Sequence, residues 1–274
     1  MIKQSDVIEF FDERAAKWDD ELVRSDRKIN TILDNANVRK GCRILDVACG
    51  TGVLFDDYIK RGAADVTGID ISPEMVKIAR SKYPEEKTYG DDTHIRILCE
   101  DAESYTGKEE GFDSIVVYNA FPHFPDPERL IAHLASLLKE DGVLTIAHGM
   151  SRKAIDSHHN GPASKVSNGL MEAEDLALLL GKYLKVKTVI SDDEMYQVAG
   201  QKSAANMTRL IHCDVEKGPQ ILRFRSPLKN SSKNLTTLYI RRYILVREYV
   251  SPVFLYRKYR KKNIRSSITA SSIC

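Results

Sequence analysis

The sequence predicts an α/β protein: a doubly wound, mostly parallel seven-stranded sheet with a terminal antiparallel hairpin. Three observations carry this. Short apolar runs alternate with amphipathic segments between residues 43 and 147, the pattern of parallel strands joined by crossover helices. Two of those segments open on a capping residue, a proline and an acid, Ser72-Pro73-Glu74 and Asp126-Pro127-Glu128, which is a helix start. Beyond them, residues 183–190 and 194–199 are β-rich and separated by Ser191-Asp192-Asp193, which reads as a hairpin.

The elements follow in order. The opening segment reads as a helix capped by Ser5, with Ile8, Phe11, Ala15 and Trp18 on one face. A second helix covers about residues 26–37. Residues 43–47 form the first strand, followed by a glycine turn and a helix through Tyr58. Residues 65–69 are the second strand, and the helix opened by Ser72 continues to about Lys82. Residues 95–99 and 112–118 are the third and fourth. The helix opened by Asp126 places Leu130, Leu134, Leu137 and Leu138 on one side. Asp141-Gly142 is a turn and residues 143–147 the fifth strand. A polar stretch, 148–168, and a leucine-rich helix, 171–180, precede the hairpin.

Composition narrows the setting. No apolar run approaches the roughly 20 residues that cross a bilayer. The first twenty residues mix acids and bases and lack the layout of a signal peptide, so the expected location is cytoplasmic. Cys42, Cys49, Cys99, Cys213 and Cys274 are widely spaced with no CxxC pair. Reduced thiols are expected, and no metal site. The net charge of +2 hides an asymmetry. From residue 217 onward there are 14 Lys/Arg and one acid, Glu248, whereas residues 1–216 carry 27 bases and 38 acids. The chain reads as an acidic folded part and a basic extension.

The strongest motif is Ile44-Leu45-Asp46-Val47-Ala48-Cys49-Gly50-Thr51-Gly52. It joins a strand to a helix, where glycine permits a tight turn and close approach of a ligand. Two details oppose a dinucleotide. Phe55 stands where GxGxxG has its third glycine, and Asp46 at the strand end would repel a pyrophosphate. An acid there suits a cationic ligand, and S-adenosylmethionine carries a sulfonium and an ammonium. Asp70 ends the second strand, 20 residues after Gly50, where an acid accepts ribose hydroxyls; the plainer reading is a turn aspartate. Asp101 and Ala102 follow the third strand, suited to an adenine amino group and ring nitrogen; alone, they would read as an ordinary acidic loop. All three positions lie at the C-terminal ends of successive strands, the ligand edge of open α/β sheets.

From about residue 10 to 201 the sequence resembles the class I S-adenosylmethionine-dependent methyltransferases, in the small-molecule group that includes the ubiquinone/menaquinone C-methyltransferases. The resemblance is carried by LDVACGTG (45–52), VTGIDIS (66–72), PEMVKIAR (73–80), Asp101-Ala102 and FDSIVVYNAF (112–121). FFDERAAKWDD is similar to that group's N-terminal lid. Ala48 departs from it, since glycine is frequent at that position. The resemblance implies a Rossmann-like catalytic domain over residues 41–203, beneath a helical lid, 1–40; the change of composition marks 204–274 as a basic extension, expected to be poorly ordered. The resemblance further implies that backbone atoms around Ala48 and Gly50 hold the methionine portion, with Gly52 also cofactor-binding, and that Asp46 lies near sulfonium and amine. Asp70 would serve the ribose, Asp101 and Ala102 the adenine, Ile71 would also bind the cofactor, and Asn119 would border the methyl group. Trp18 and Arg14 are candidates from the lid, with core packing the plainer reading of Trp18.

Methyl transfer is an in-line displacement whose demands are alignment and exclusion of water. A base is needed only if the acceptor must lose a proton. His123, His148, His158 and His159 fall on the acceptor side, with His123 and His148 the first choices for catalytic contact. Their spacing matches no metal motif, and loop histidines are commonly just solvated. His94 and His133 read as surface residues. Phe121, Pro122, Phe124 and Pro125 make the loop apolar, which suits a small-molecule acceptor with an apolar or aromatic part. The basic extension admits three readings: a membrane-surface segment, a phosphate-binding arm, or an appendage without a selected role. Its abrupt change of composition favours the last, and the acidic catalytic part argues against a nucleic-acid partner. Rival functions are a nucleic-acid methyltransferase and a non-catalytic S-adenosylmethionine-binding module.

Overall fold

The structure, a computed structural model, describes residues 2–107, 110–159 and 161–203; the basic extension, 204–274, lies outside the described residues. Among the described residues one sheet contains β1 (Arg43–Val47), β2 (Asp65–Asp70), β3 (Thr88–Tyr89), β4 (Thr93–Cys99), β5 (Phe112–Tyr118), β6 (Leu138–His148), β7 (Lys185–Ser191) and β8 (Tyr196–Gln201). The helices are α1 (Gln4–Asp12), α2 (Trp18–Glu21), α3 (Asp26–Asn35), α4 (Phe55–Lys60), α5 (Pro73–Lys82), α6 (Pro127–Ser136), α7 (Arg152–His159) and α8 (Ala173–Leu180).

The strand order is β3-β4-β2-β1-β5-β6-β8-β7. β4, β2, β1, β5 and β6 pair in parallel, while β3, β8 and β7 pair antiparallel. The chain winds outward from β1 through β2 to β4, then returns to the other side of β1 with β5 and β6. The β1/β5 junction is therefore the switch point, where such sheets open a crevice at their C-terminal edge.

Period-2 alternation splits each central strand between two apolar layers. Leu45, Val47, Ile115, Val117, Leu144 and Ile146 face the layer that includes α6 and α8. Ile44, Val66 and Val116 face the layer of α3, α4 and α5. Burial on both faces explains why these strands read as continuous apolar runs.

Four expectations are corrected. The sheet has an eighth strand, the two-residue β3. α1 begins at Gln4 with Lys3 at the cap position, and Ser5 bonds its neighbour Asp6 instead of capping the helix. The opening helix stops at Asp12, so Ala15 and Trp18 sit in separate short turns. Leu138 belongs to β6, not to the preceding helix, and Asp141 takes a positive φ of 64° within that strand. The two caps read from sequence are present: Ser72 Oγ accepts from Met75 N at 3.1 Å and Asp126 Oδ1 from Arg129 N at 3.0 Å. No helix of the described residues is long and apolar enough to cross a membrane.

Candidate functional site

The glycine loop is held by β2. Gly50 takes φ +55°, and its N–H donates to Asp70 Oδ2 at 2.8 Å while Ser72 N donates to Asp70 Oδ1 at 2.9 Å. One carboxylate thus ties the loop after β1 to the cap of α5. Burial pushes this carboxyl up to about 6, against the backbone donors of Ser72, Gly50 and Ile71. Ala48 also takes a left-handed φ, 54°. That conformation suits glycine best and is the physical reason alanine is a departure there.

Around this loop lies a cavity of about 720 Å³. The structure brings Asp46, Ala48, Gly50, Asp70, Ile71, Asp101, Ala102, Asn119 and His123 together in its wall. They come from the tips of β1, β2, β4 and β5, which are adjacent in the sheet. The wall contains six acids (Asp46, Asp70, Glu100, Asp101, Glu103 and Asp126) against one arginine, Arg129. Such a preponderance of acidic groups fits a cationic ligand and opposes a pyrophosphate. Asp46 is 3% exposed. Burial pushes its carboxyl up to about 8; the Tyr58 hydroxyl works against this and the Asp70 charge adds to it.

Asp101 has a second task, since its Oδ1 accepts from Glu103 N at 3.0 Å and so shapes the turn after β4. Asn119 has φ 55°, and its side-chain oxygen accepts from Gly149 N at 3.0 Å, tying the β5 tip to the β6 tip. His123 Nδ1 lies 2.7 Å from the Val166 carbonyl oxygen. A carbonyl only accepts, so Nδ1 carries the proton and Nε2 is the basic nitrogen of the neutral ring.

Three residues fall outside this wall. His148 closes β6, buried and paired in the ladder with Tyr196, whose ring lies 6.1 Å away. Gly52 (φ +82°) makes room for packing: a Cβ there would lie 2.9 Å from the Phe55 ring and 3.1 Å from Tyr83. Arg14 stacks over Phe10, 3.6 Å from its centroid. His158 and His159 end α7, and their side chains lie outside the described residues. His94 is exposed as expected, but His133 is half-buried and bonds the Tyr105 carbonyl.

Sequence reasoning missed how the opening segment is fastened. Phe11 lines the cavity and stands nearly perpendicular to both Trp18 (5.6 Å) and His123 (5.0 Å). Asp12 accepts from the Ser72 hydroxyl and from Glu74 N, at the start of α5. Asp19 accepts from Thr51 in the glycine loop and from Lys82. Burial opposes ionisation of Asp19, yet those two donors hold its carboxyl below the ordinary range. Arg24 forms a two-pronged bond to Asp57 at 2.7 Å. In sequence these are ordinary surface acids and bases; only the fold reveals their partners.

Comparisons with known proteins agree with this geometry. Residues 45–146 match the family described as "Methyltransferase domain". A ubiquinone biosynthesis O-methyltransferase of Coxiella burnetii is 35% identical over 105 residues, 38% of this chain and 42% of that protein. One of the same description from Pasteurella multocida is 36% identical over 123 residues, 43% of this chain and 50% of that protein. The chain thus spans about half the length, or less, of these curated relatives. Among solved structures, magnesium protoporphyrin IX methyltransferase from Synechocystis, with bound SAH, superposes with TM-score 0.55 at 17% identity, covering 73% of this chain and 99% of that one. A SAM-dependent methyltransferase from Aquifex aeolicus gives TM-score 0.55 at 18% identity, over 69% and 97%. At such identity the structures speak for the fold alone. Residues 45–146 thus match a methyltransferase-domain family, within a fold shared with solved methyltransferases.

Proposed function

We propose that the chain transfers the methyl group of S-adenosylmethionine to a small-molecule acceptor with an apolar or aromatic part. The observation that carries this is one acidic cavity that crosses four adjacent strand tips and is lined also by Phe11, His123 and Phe124. The donor supplies a methyl carbon bonded to a sulfonium leaving group. The chain's own part is placement. Asp70 and Ile71 serve the ribose, Asp101 and Ala102 the adenine, and Ala48, Gly50 and Asp46 the methionine end. Gly52 acts indirectly, by letting the loop pack on Phe55. Asn119 fixes the β5 tip beside the methyl position. Residues 1–40 act as a lid that excludes water, fastened through Asp12, Asp19 and Arg24 to the core, 41–203.

On the acceptor side His123 accepts a proton at Nε2 when the acceptor must lose one, its ring oriented by the Val166 carbonyl. His148, buried in the sheet, serves packing. The relatives that act in ubiquinone biosynthesis and on magnesium protoporphyrin IX fit a small-molecule acceptor. Cys42, Cys49 and Cys99 are free thiols, which suits a reducing cytoplasm.

The test is incubation of the full chain with labelled donor and either a metabolite extract or RNA. Label in a small product is expected, and label confined to RNA would refute the reading. With that acceptor in hand, His123→Gln should lower kcat about 100-fold or more if a proton is removed, and flatten the pH profile.

A further inference from the structure

An imidazole turns easily about its χ2 bond, whose minima are broad and two-fold. A histidine next to a loop therefore needs partners to hold one orientation. His123 closes the short turn Phe121–His123 after β5. Its Nδ1–H donates to the Val166 carbonyl, 2.7 Å away, but a single hydrogen bond that water can replace gives little net preference. A second partner is the ring of Phe11, whose centroid lies 5.0 Å away with the planes at 88°. That is an edge-to-face pair of aromatic rings.

Both partners involve the opening segment. Phe11 belongs to α1, and α1 packs against the turn Pro162–Val166 that supplies the carbonyl. The next residue, Asp12, accepts from the Ser72 hydroxyl and from Glu74 N at the start of α5. Ser72 N in turn donates to Asp70 Oδ1. Two consecutive residues of α1 thus engage two sides of the cavity. Asp12 holds the helix cap that follows β2, and Phe11 meets the histidine that follows β5. These two strands flank β1 in the sheet.

We infer that Phe11 is a positioning residue: its ring, seated by the Asp12 anchor beside it, holds the His123 imidazole with Nδ1 on the Val166 carbonyl and Nε2 as the basic nitrogen. The catalytic meaning rests on the role proposed for His123 above, whereas the placement of the ring belongs to the protein without ligand. If the opening segment lifts, His123 loses Phe11 and the packing behind Val166 together. The base is therefore assembled only beneath a covered cavity, where Ile2, Gln4, Val7 and Phe11 line the wall and water is excluded.

The test is long-range proton–nitrogen NMR of the full chain, with nitrogen-labelled histidine, at pH 8. The His123 ring is identified by its disappearance in His123→Gln. The wild type should show this ring protonated at Nδ1. In Phe11→Leu, loss of the aromatic pair should make exchange of the Nδ1 proton with water about two- to tenfold faster. Phe11→Tyr keeps the ring and should stay within about twofold of the wild type. Asp12→Ala leaves Phe11 in place, so it decides the matter even if Phe11→Leu fails to fold; it should speed the exchange in the same direction. A wild-type ring protonated at Nε2 overturns the inference without any variant. So does an unchanged His123 signal in folded Phe11→Leu or in Asp12→Ala. Adding S-adenosylhomocysteine to the same samples separates this from the proposed function. A wild type that fails to bind it sinks that function, whereas unchanged His123 signals in variants that bind it sink only the positioning role.

Discussion

Asp46→Asn should make the ligand-free protein more stable. The carboxyl has its value raised from 3.8 to about 8 by burial, so the folded state prefers the neutral form. A group raised in this way is no burden below about pH 4, where it is protonated folded or unfolded. Stability is then lost as pH rises toward 8, since unfolding frees the group to ionise. At pH 7 about three pH units of that gap are expressed. At about 1.4 kcal/mol per unit, the wild type forgoes about 4 kcal/mol. Asparagine keeps the shape and carries no charge, so it should recover about 2 to 4 kcal/mol. For a folded unit of this size that is a rise in Tm of about 4 to 12 °C at pH 7, shrinking to near zero at pH 4. The assay is thermal unfolding of wild type and variant across pH 4 to 8 without ligand. An Asp46→Asn Tm equal to or below that of the wild type at pH 7 would refute the reasoning.

Other perturbations probe separate parts of the structure. Gly68→Ala places a Cβ 2.5 Å from Phe55 Cζ and 2.9 Å from Cys49 Sγ. It should lose about 2 to 3 kcal/mol by urea unfolding, with at least half recovered when Phe55→Leu is added. Asp12→Ala removes the acceptor for the Ser72 hydroxyl and Glu74 N. This weakens docking of the opening segment by about 1 kcal/mol, seen as faster limited proteolysis of residues 2–25 with little change in Tm. Ala48→Gly exchanges relief of a left-handed φ for a looser unfolded chain, so its unfolding midpoint should move by no more than about 0.5 kcal/mol. Ala48→Val, branched at the same φ of 54°, should lose about 2 kcal/mol.

What the sequence disclosed follows the range of the interactions involved. Strands buried on both faces announce themselves as apolar runs, and caps such as Ser72 and Asp126 act within three residues. The cavity edge was legible because Asp46, Asp70 and Asp101 lie at or just beyond strand ends, and parallel pairing brings those ends together. β3 was invisible because a two-residue strand has no period. Leu138 continued the apolar helical pattern, yet its ladder partner is Phe112 of β5, 26 residues away. The Asp12 carboxylate, at the end of α1, is engaged 60 residues away at Ser72, and no local pattern encodes that. His148 and His123 look alike as loop-proximal histidines. Only the β6–β8 ladder turns one into the sheet and leaves the other at the cavity.

Phe55 and Gly68 are two halves of one fitting. The ring that replaces the third glycine of a dinucleotide loop is fully buried and occupies the hollow that Gly68 leaves on β2. Neither position can be inherited alone. A chimaera taking residues 43–60 from a relative with a small residue at 55 would open a void, and one taking 65–70 with a side chain at 68 would jam. Domain shuffling between such proteins must therefore carry both segments on one fragment, with its crossover after residue 70.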